Sequence, residues 1–160
     1  MVPVRYKPIG IIHTPFKEKK CTPIQGVFNP DSKGNVEVFP QYIDGLKNID
    51  GFSHLILIYH FHLAESCSLI TTPFLDNKGK GIFSIRHYNR PNPIGISVVR
   101  LDQVKDNILT ISEVDIVDGT PLLDIKPYVP DFDIRHNVRK GWYENARNKS
   151  QYEKNKGIPQ

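Results

Sequence analysis

Thirteen prolines and eleven glycines cut this 160-residue chain into apolar runs too short to carry many helical periods. A proline removes a backbone donor and fixes its own φ, so neither a helix nor a central strand runs through it. What remains is a series of short strand-like pieces: Pro8 to Thr14, Asn35 to Phe39, Phe52 to His62, Ile108 to Ile116 and Leu122 to Ile125. Phe52 to His62 is the most hydrophobic of them and is expected at the centre of a sheet. Many short strands with few helical periods argue for an all-β barrel or sandwich. Smaller features fill in this outline. Gln41 to Leu46 reads as one or two helical turns, and a slip in alternation near Ser112-Glu113 predicts a β-bulge. Trp142 and Tyr143 are the last strong apolar anchors, and a weak helical pattern follows from Glu144 to Lys156.

The stretch from Gly81 to Leu101 organises the rest. It passes from an apolar, strand-like piece through a polar turn into a second apolar piece. Two prolines, Pro91 and Pro93, confine Arg90 and Asn92 to extended geometry, so Asn92 is held in a narrow range of directions. Arg86, His87, Tyr88, Asn89, Arg90 and Asn92 together offer donors, acceptors, a titratable ring and an aromatic face at one sheet end. A two-proline turn needs polar residues for solubility as well, so the loop alone leaves both readings open. The turn Asp118-Gly119-Thr120-Pro121 sets backbone groups beside a carboxylate, a way to hold a small polar ligand such as a nucleoside. By itself it is equally an ordinary Asp-Gly turn.

Charge is uneven. From Ile134 onward seven basic residues face Glu144 and Glu153, a net of +5, whereas the first 133 residues carry a net of −1. A basic segment on a neutral body points to a polyanion, nucleic acid first, although a solvated lysine-rich terminus has the same composition. Cys21 and Cys67 lie far apart without metal-finger spacing, which fits reduced thiols in a cytoplasm. The N-terminus lacks the apolar core of a secretory signal, and the longest apolar run, Leu55 to Tyr59, is too short to span a bilayer. A glycine-rich strand-to-helix turn is missing, which excludes a Rossmann dinucleotide or methyltransferase site, and no serine sits in a nucleophile elbow. His60, His62 and Glu65 superficially resemble a metal-binding strand, but no downstream histidine completes the set, so no metal is expected.

Seven blocks occur in a fixed order: Pro8-Ile9-Gly10-x-Ile12, Pro23-x-Gln25, Phe52-Ser53-His54-Leu55, Phe61-His62, Gly81-x-Phe83-Ser84-x-Arg86, Arg90-Pro91-Asn92-Pro93-Ile94-Gly95-x-Ser97, and Asp115 to Tyr128. Together they resemble the TrmO family, also called TsaA-like or YaeB-like proteins, collinearly from about Tyr6 to Pro130. The resemblance implies a single antiparallel β-barrel-like domain over residues 1–133 and a basic C-terminal tail over 134–160. It also implies a homodimeric S-adenosylmethionine-dependent tRNA methyltransferase that methylates N6 of N6-threonylcarbamoyladenosine next to the anticodon. Cofactor contacts are implied at Pro23, Ile24, Gln25, His62, Leu63, Arg86, Ile96, Asp118, Gly119, Thr120 and Pro121. The family often has Gln where this chain has Leu63, which implies a backbone contact there. In-line methyl transfer calls for positioning and for removal of the N6 proton. Asn92 is the candidate to orient the acceptor edge, Asp118 or Tyr88 to take or relay the proton, and Arg86 or Arg90 to bind a phosphate or the threonyl carboxylate. Arg135, Arg139 and Lys140 are candidate tRNA contacts on charge. The same barrel acting on another RNA or a small molecule, or a non-catalytic RNA-binding barrel, are the alternatives.

Overall fold

In the computed structural model, which describes residues 2–146, six strands close into a barrel and two more form a separate ribbon. The strands are β1 (Gly10–His13), β2 (Lys33–Val38), β3 (His54–His60), β4 (Ile70–Thr71), β5 (Lys80–Gly81), β6 (Ile94–Lys105), β7 (Ile108–Ser112) and β8 (Thr120–Pro127). Around the barrel the order is β1-β2-β7-β6-β3-β8, and every neighbouring pair is antiparallel. A closed barrel has no free strand edge, so short strands need not be shielded individually. The ribbon β4-β5 lies in the long connection between β3 and β6.

Alternation builds the interior. Leu55 and Leu57 of β3, Val99 of β6, Leu109 and Ile111 of β7, Leu122 of β8, Val36 of β2 and Ile12 of β1 all point inward and are fully buried. Each such side chain contributes about 1.5–3 kcal/mol relative to exposure, which is what holds the six strands together. β3 is paired with β6 on one side and β8 on the other, but every strand of the closed barrel is likewise flanked on both sides, so the ring has no central strand. On the outer side of β6, Ile94, Ile96 and Val98 stay exposed.

Two local expectations need correction. The piece from Gly81 to Ile85 is strand only at Gly81; Ile82–Ser84 form a 3-10 turn. That turn brings both Ile82 and Ile85 inward, an i to i+3 spacing that an extended strand would have sent to opposite faces. The slip near Ser112-Glu113 is real, but the bulge is not there. β7 ends at Ser112, and Glu113 turns the chain with φ of 63°. The extra residue sits opposite, at Asp102 of β6, where the register steps from Leu101 to Gln103. Asp102 accepts hydrogen bonds there from Ser112 Oγ at 3.1 Å and Arg100 Nε at 3.0 Å, which gives the bulge its own polar support. Gln41 to Leu46 lies within a 3-10 helix, Pro40–Leu46. The part of the helical pattern beyond Ala146 lies outside the described residues.

The register places the site. His60 faces Ile94, Tyr59 faces Leu122, Ile12 faces Thr120, and Lys33 faces Ser112. Therefore the three long connections, residues 14–32, 61–93 and 113–119, all leave the barrel at one end. The opposite end carries residues 39–53 and the tight β6-β7 turn.

Candidate active site

Those three connections enclose a cleft of about 1060 Å³ over the end of the barrel. Its floor is made by the last inward residues of the strands. Tyr59, at the end of β3, lies flat on Gly95 of β6: a Cβ at position 95 would come within 2.2 Å of the Tyr59 ring. Glycine there is what lets the phenol reach across the barrel mouth. Its hydroxyl is 3.0 Å from Ser97 Oγ, and Ser97 donates in turn to Asp115 Oδ1 at 2.5 Å. Serine has a single hydroxyl hydrogen, so with that hydrogen on Asp115 the Tyr59 hydroxyl donates to Ser97. The hydrogen-bond chain therefore runs in one direction, from Tyr59 to Asp115. Burial pushes the Tyr59 phenol well above its ordinary range, and the Asp115 carboxyl adds to that.

From Tyr59 an aromatic series climbs one wall. Phe61 packs edge-on against Tyr59 with ring centres 5.3 Å apart, and Tyr88 packs against Phe61 at 6.4 Å. His87 stacks on Tyr88 at 4.3 Å, and the Lys19 ammonium stands 4.2 Å over the Tyr88 ring. The two-proline turn supports this wall from behind. Phe61 N–H donates to the Pro93 carbonyl at 2.8 Å, and Arg90 Nη1 donates to the Ile85 carbonyl at 2.8 Å. Asn89 N–H donates to His87 Nδ1 at 3.2 Å, so that nitrogen carries no proton. Burial, with Lys19 and Arg90 nearby, pulls the His87 pKa down and keeps the ring neutral at pH 7.

The facing wall is the 23–28 loop. Arg86 Nη1 donates to Gln25 Oε1 at 3.1 Å and Gln25 Nε2 donates to the Ile24 carbonyl at 2.8 Å, so the loop and the Arg86 segment are tied together. Gly26 is seated on the turn at Glu113, where any Cβ would fall 1.7 Å from the Glu113 carbonyl oxygen. His62 and Thr120 close the third side. Thr120 Oγ1 donates to the Val117 carbonyl at 2.7 Å, so it accepts from His62 Nδ1 at 3.3 Å, leaving His62 Nε2 as the free lone pair. Desolvation, then His60, lowers the His62 pKa. Trp142 and Tyr143 complete the rim: Trp142 Nε1 donates to the Ser84 carbonyl at 2.8 Å, and both rings pack beside Leu75 and Ala146.

Most of the residues singled out from sequence converge here. Pro23, Ile24 and Gln25 line the cleft on one side, His62 and Leu63 on another, with Arg86, Tyr88, Arg90, Ile96, Thr120 and Lys140 around it. Others do not. Asn92 is exposed on its turn, and Gly119 and Pro121 lie behind Thr120, where Pro121 pairs with Ile11 of β1. Arg135 folds back onto the carbonyls of Phe132 and Ile134, and Arg139 is exposed. Asp118 turns away from the cleft. It accepts from Thr14 N–H at 3.0 Å and from Lys17 Nζ at 2.5 Å, with His13 3.9 Å off, and these partners hold its carboxyl below the usual range. Tyr59, Ser97 and Asp115 were given no role from the sequence. Their signal was a polar residue on the inward phase of an apolar strand, as at Ser97, and an acid between two buried neighbours, as at Asp115.

The family model of the tRNA-methyltransferase O N-terminal domain matches residues 11–134, which span the barrel and the three loops. The chain belongs to this family. A probable S-adenosyl-L-methionine-binding protein of Pyrococcus abyssi is 60% identical over 139 residues, covering 87% of this chain and 76% of that one. The tRNA (adenine(37)-N6)-methyltransferase of Escherichia coli is 36% identical over 136 residues, 79% of this chain and 58% of that enzyme. Crystallographic TrmO from Pseudomonas aeruginosa superposes with a TM-score of 0.74 at 36% identity, over 88% of this chain and 62% of that one. The chain thus spans about three fifths of the length of each of these last two proteins. The rim contributed by Trp142 and Tyr143 lies beyond the residues that the TrmO domain model matches. Among the described residues, no group of three or more His, Cys, Asp or Glu side chains could hold a metal ion, and no helix is long and apolar enough to cross a membrane.

Proposed function

We propose that this protein is an S-adenosylmethionine-dependent tRNA methyltransferase that methylates N6 of N6-threonylcarbamoyladenosine at position 37, working as a cytoplasmic homodimer. The observation that carries the reading is the convergence of the Gln25 loop, Arg86, His62 and Thr120 on one cleft in a chain of the tRNA-methyltransferase O family. The donor set suits the cofactor. Ile24, Leu63 and Ile96 offer apolar surface for an adenine ring, and Arg86 and Thr120 offer polar groups for its ribose and carboxylate ends. When bound, S-adenosylmethionine supplies an electrophilic methyl group on a sulfonium.

The protein's task is then alignment. Holding the acceptor nitrogen in line with the methyl group is worth up to about 7–11 kcal/mol, provided that the walls are rigid. Rigidity is what the two-proline turn supplies through Phe61 and Ile85. Arg90 is half-buried with Nη1 on the Ile85 carbonyl, whereas Arg86 is exposed and its Nη1 meets only the Gln25 side chain, so Arg86 is the better candidate for an anionic group of cofactor or substrate. Asn92 is exposed between Arg90 and Ile94, which both line the cleft, and is offered to the edge of the acceptor base. Lys140 at the cleft, with Arg135 and Arg139 on the same segment, would meet phosphates.

The test is methyl transfer from labelled S-adenosylmethionine to tRNA from cells that lack this activity, with and without the threonylcarbamoyl group. Incorporation only into threonylcarbamoylated tRNA is the expected result. Cofactor binding without incorporation into either tRNA would overturn the assignment of the acceptor.

A further inference from the structure

Among the described residues, Asp115 is the one carboxylate that lines the cleft. Its position is unusual for an acid. Val114 and Ile116 on either side are buried in the barrel core, while Asp115 itself keeps accessible surface towards the cleft. The end of the Tyr59-Ser97 chain lies on its Oδ1, and the Gly26 N–H also donates to it. Both neighbours that fix it belong to different elements, β6 and the 23–28 loop, so the carboxyl is held from two sides. Asp118, the other acid of the same turn, faces Lys17 and His13 outside the cleft.

We propose that Asp115 is the proton acceptor of the methyl-transfer step and that Ser97 and Tyr59 are its positioning residues, a role that rests on the methyltransferase reading above. In that step the N6–CH3 bond forms as the S–CH3 bond breaks, with the bonding pair passing to sulfur to leave a neutral thioether. The N6 proton passes to the Asp115 carboxylate and from there to solvent through the open cleft. The balance needs no further reactant. The hydrogen-bond chain explains why Tyr59 and Ser97 do not take the proton themselves: each already donates its hydrogen towards Asp115, so neither offers a base stronger than the carboxylate at the end. Desolvation raises the Asp115 carboxyl above its ordinary value of 3.8, against the opposing pull of Ser97, the Gly26 N–H and the Arg86 charge. Such a carboxyl is a better base than Asp118, whose partners lower it. The charged or titratable groups that bear on Asp115 are Arg86 and Tyr59. His62 and His87, the imidazoles that also line the cleft, both have their affinity for a proton lowered, chiefly by desolvation.

The experiment is single-turnover methylation of threonylcarbamoylated tRNA by wild type, Asp115→Asn, Ser97→Ala and His62→Gln. It is followed from about pH 4.5 to 8.5 alongside S-adenosylmethionine affinity by calorimetry. Wild type is expected to show a rate that rises with pH through one ionisation and then levels. Asp115→Asn should lose at least about 100-fold in rate and lose that limb, with cofactor affinity within about tenfold. Ser97→Ala removes a hydrogen bond to the ionised form, so it should keep the limb and move it to higher pH. That variant leaves the carboxyl in place and decides the matter even if Asp115→Asn fails to fold. An Asp115→Asn rate within about fivefold of wild type, an unmoved limb in Ser97→Ala, or loss of the limb in His62→Gln instead, would each overturn the proposal. Wild type that binds cofactor yet methylates no tRNA would instead overturn the assignment of the acceptor, the reading on which this proposal rests.

Discussion

Asp115 and Asp118 are the same residue type, three positions apart in one turn, and the barrel gives them opposite surroundings. Asp115 follows Val114 into the barrel end, where desolvation dominates and raises its carboxyl. Asp118 emerges on the far side of the same turn, where Lys17 and the Thr14 N–H lower it. Two carboxyls whose environments push them apart can take different tasks. The inner one is suited to accept a proton. The outer one ties the 113–119 connection to the end of β1, and so fixes the level at which Thr120 enters the cleft.

The difference can be broken at several points. The largest effect is expected on chemistry: Asp115→Asn should cost at least about 100-fold in single-turnover rate, whereas Asp118→Asn should act mainly on cofactor affinity through the placement of Thr120. Equal rate losses in both variants would erase the distinction. Next is Gly95→Ala. Its Cβ would have to displace the Tyr59 ring from 2.2 Å, so a loss of about 1–3 kcal/mol in denaturant unfolding is expected, together with a disturbed pH profile. Unaltered stability would mean that the ring is not packed on Gly95.

Stability against pH sharpens the comparison without any ligand. A raised carboxyl stabilises the folded state below its unfolded value of 3.8 and loses that advantage as pH rises through the folded value. The melting temperature of Asp115→Asn relative to wild type should therefore increase from about pH 4 to pH 7. For a lowered carboxyl the sign reverses: its contribution is present above 3.8 and lost as pH falls through the lower folded value. The deficit of Asp118→Asn should thus be full at neutral pH and fade in acid. Parallel curves for the two variants would contradict the assigned environments. The smallest effect belongs to Lys17→Ala. Lys17 is 73% exposed, so the change should stay within about 1 kcal/mol and shrink further in high salt.

Much of the site was legible before any coordinates. The Gln25 loop, His62, Arg86, Tyr88 and Thr120 were named from the sequence, and all five line the cleft. Two prolines restrict the backbone locally, so the stiffness of the 86–94 turn could be read from the residues themselves. The Asp118 turn was read as a ligand-holding loop, but the sequence did not say which of its groups would face inward. Asp115 was passed over because an acid beside apolar residues has no fixed direction in a one-dimensional pattern.

Local chemistry determined what local chemistry can. Prolines and glycines set the lengths of the strands, period-two alternation set which of their residues face the core, and the ordered sequence blocks set the family. Tertiary structure decided what depends on partners distant along the chain. Asp118 is turned outward by Thr14 and Lys17, about a hundred residues earlier, and Asp115 is held by Gly26 and Ser97 from two further elements. Past the end of a strand the alternation stops, and the direction of a side chain is set by whichever distant group completes its hydrogen bonds. In this protein the residues of greatest chemical interest lie just there, at the end of the barrel where three connections meet.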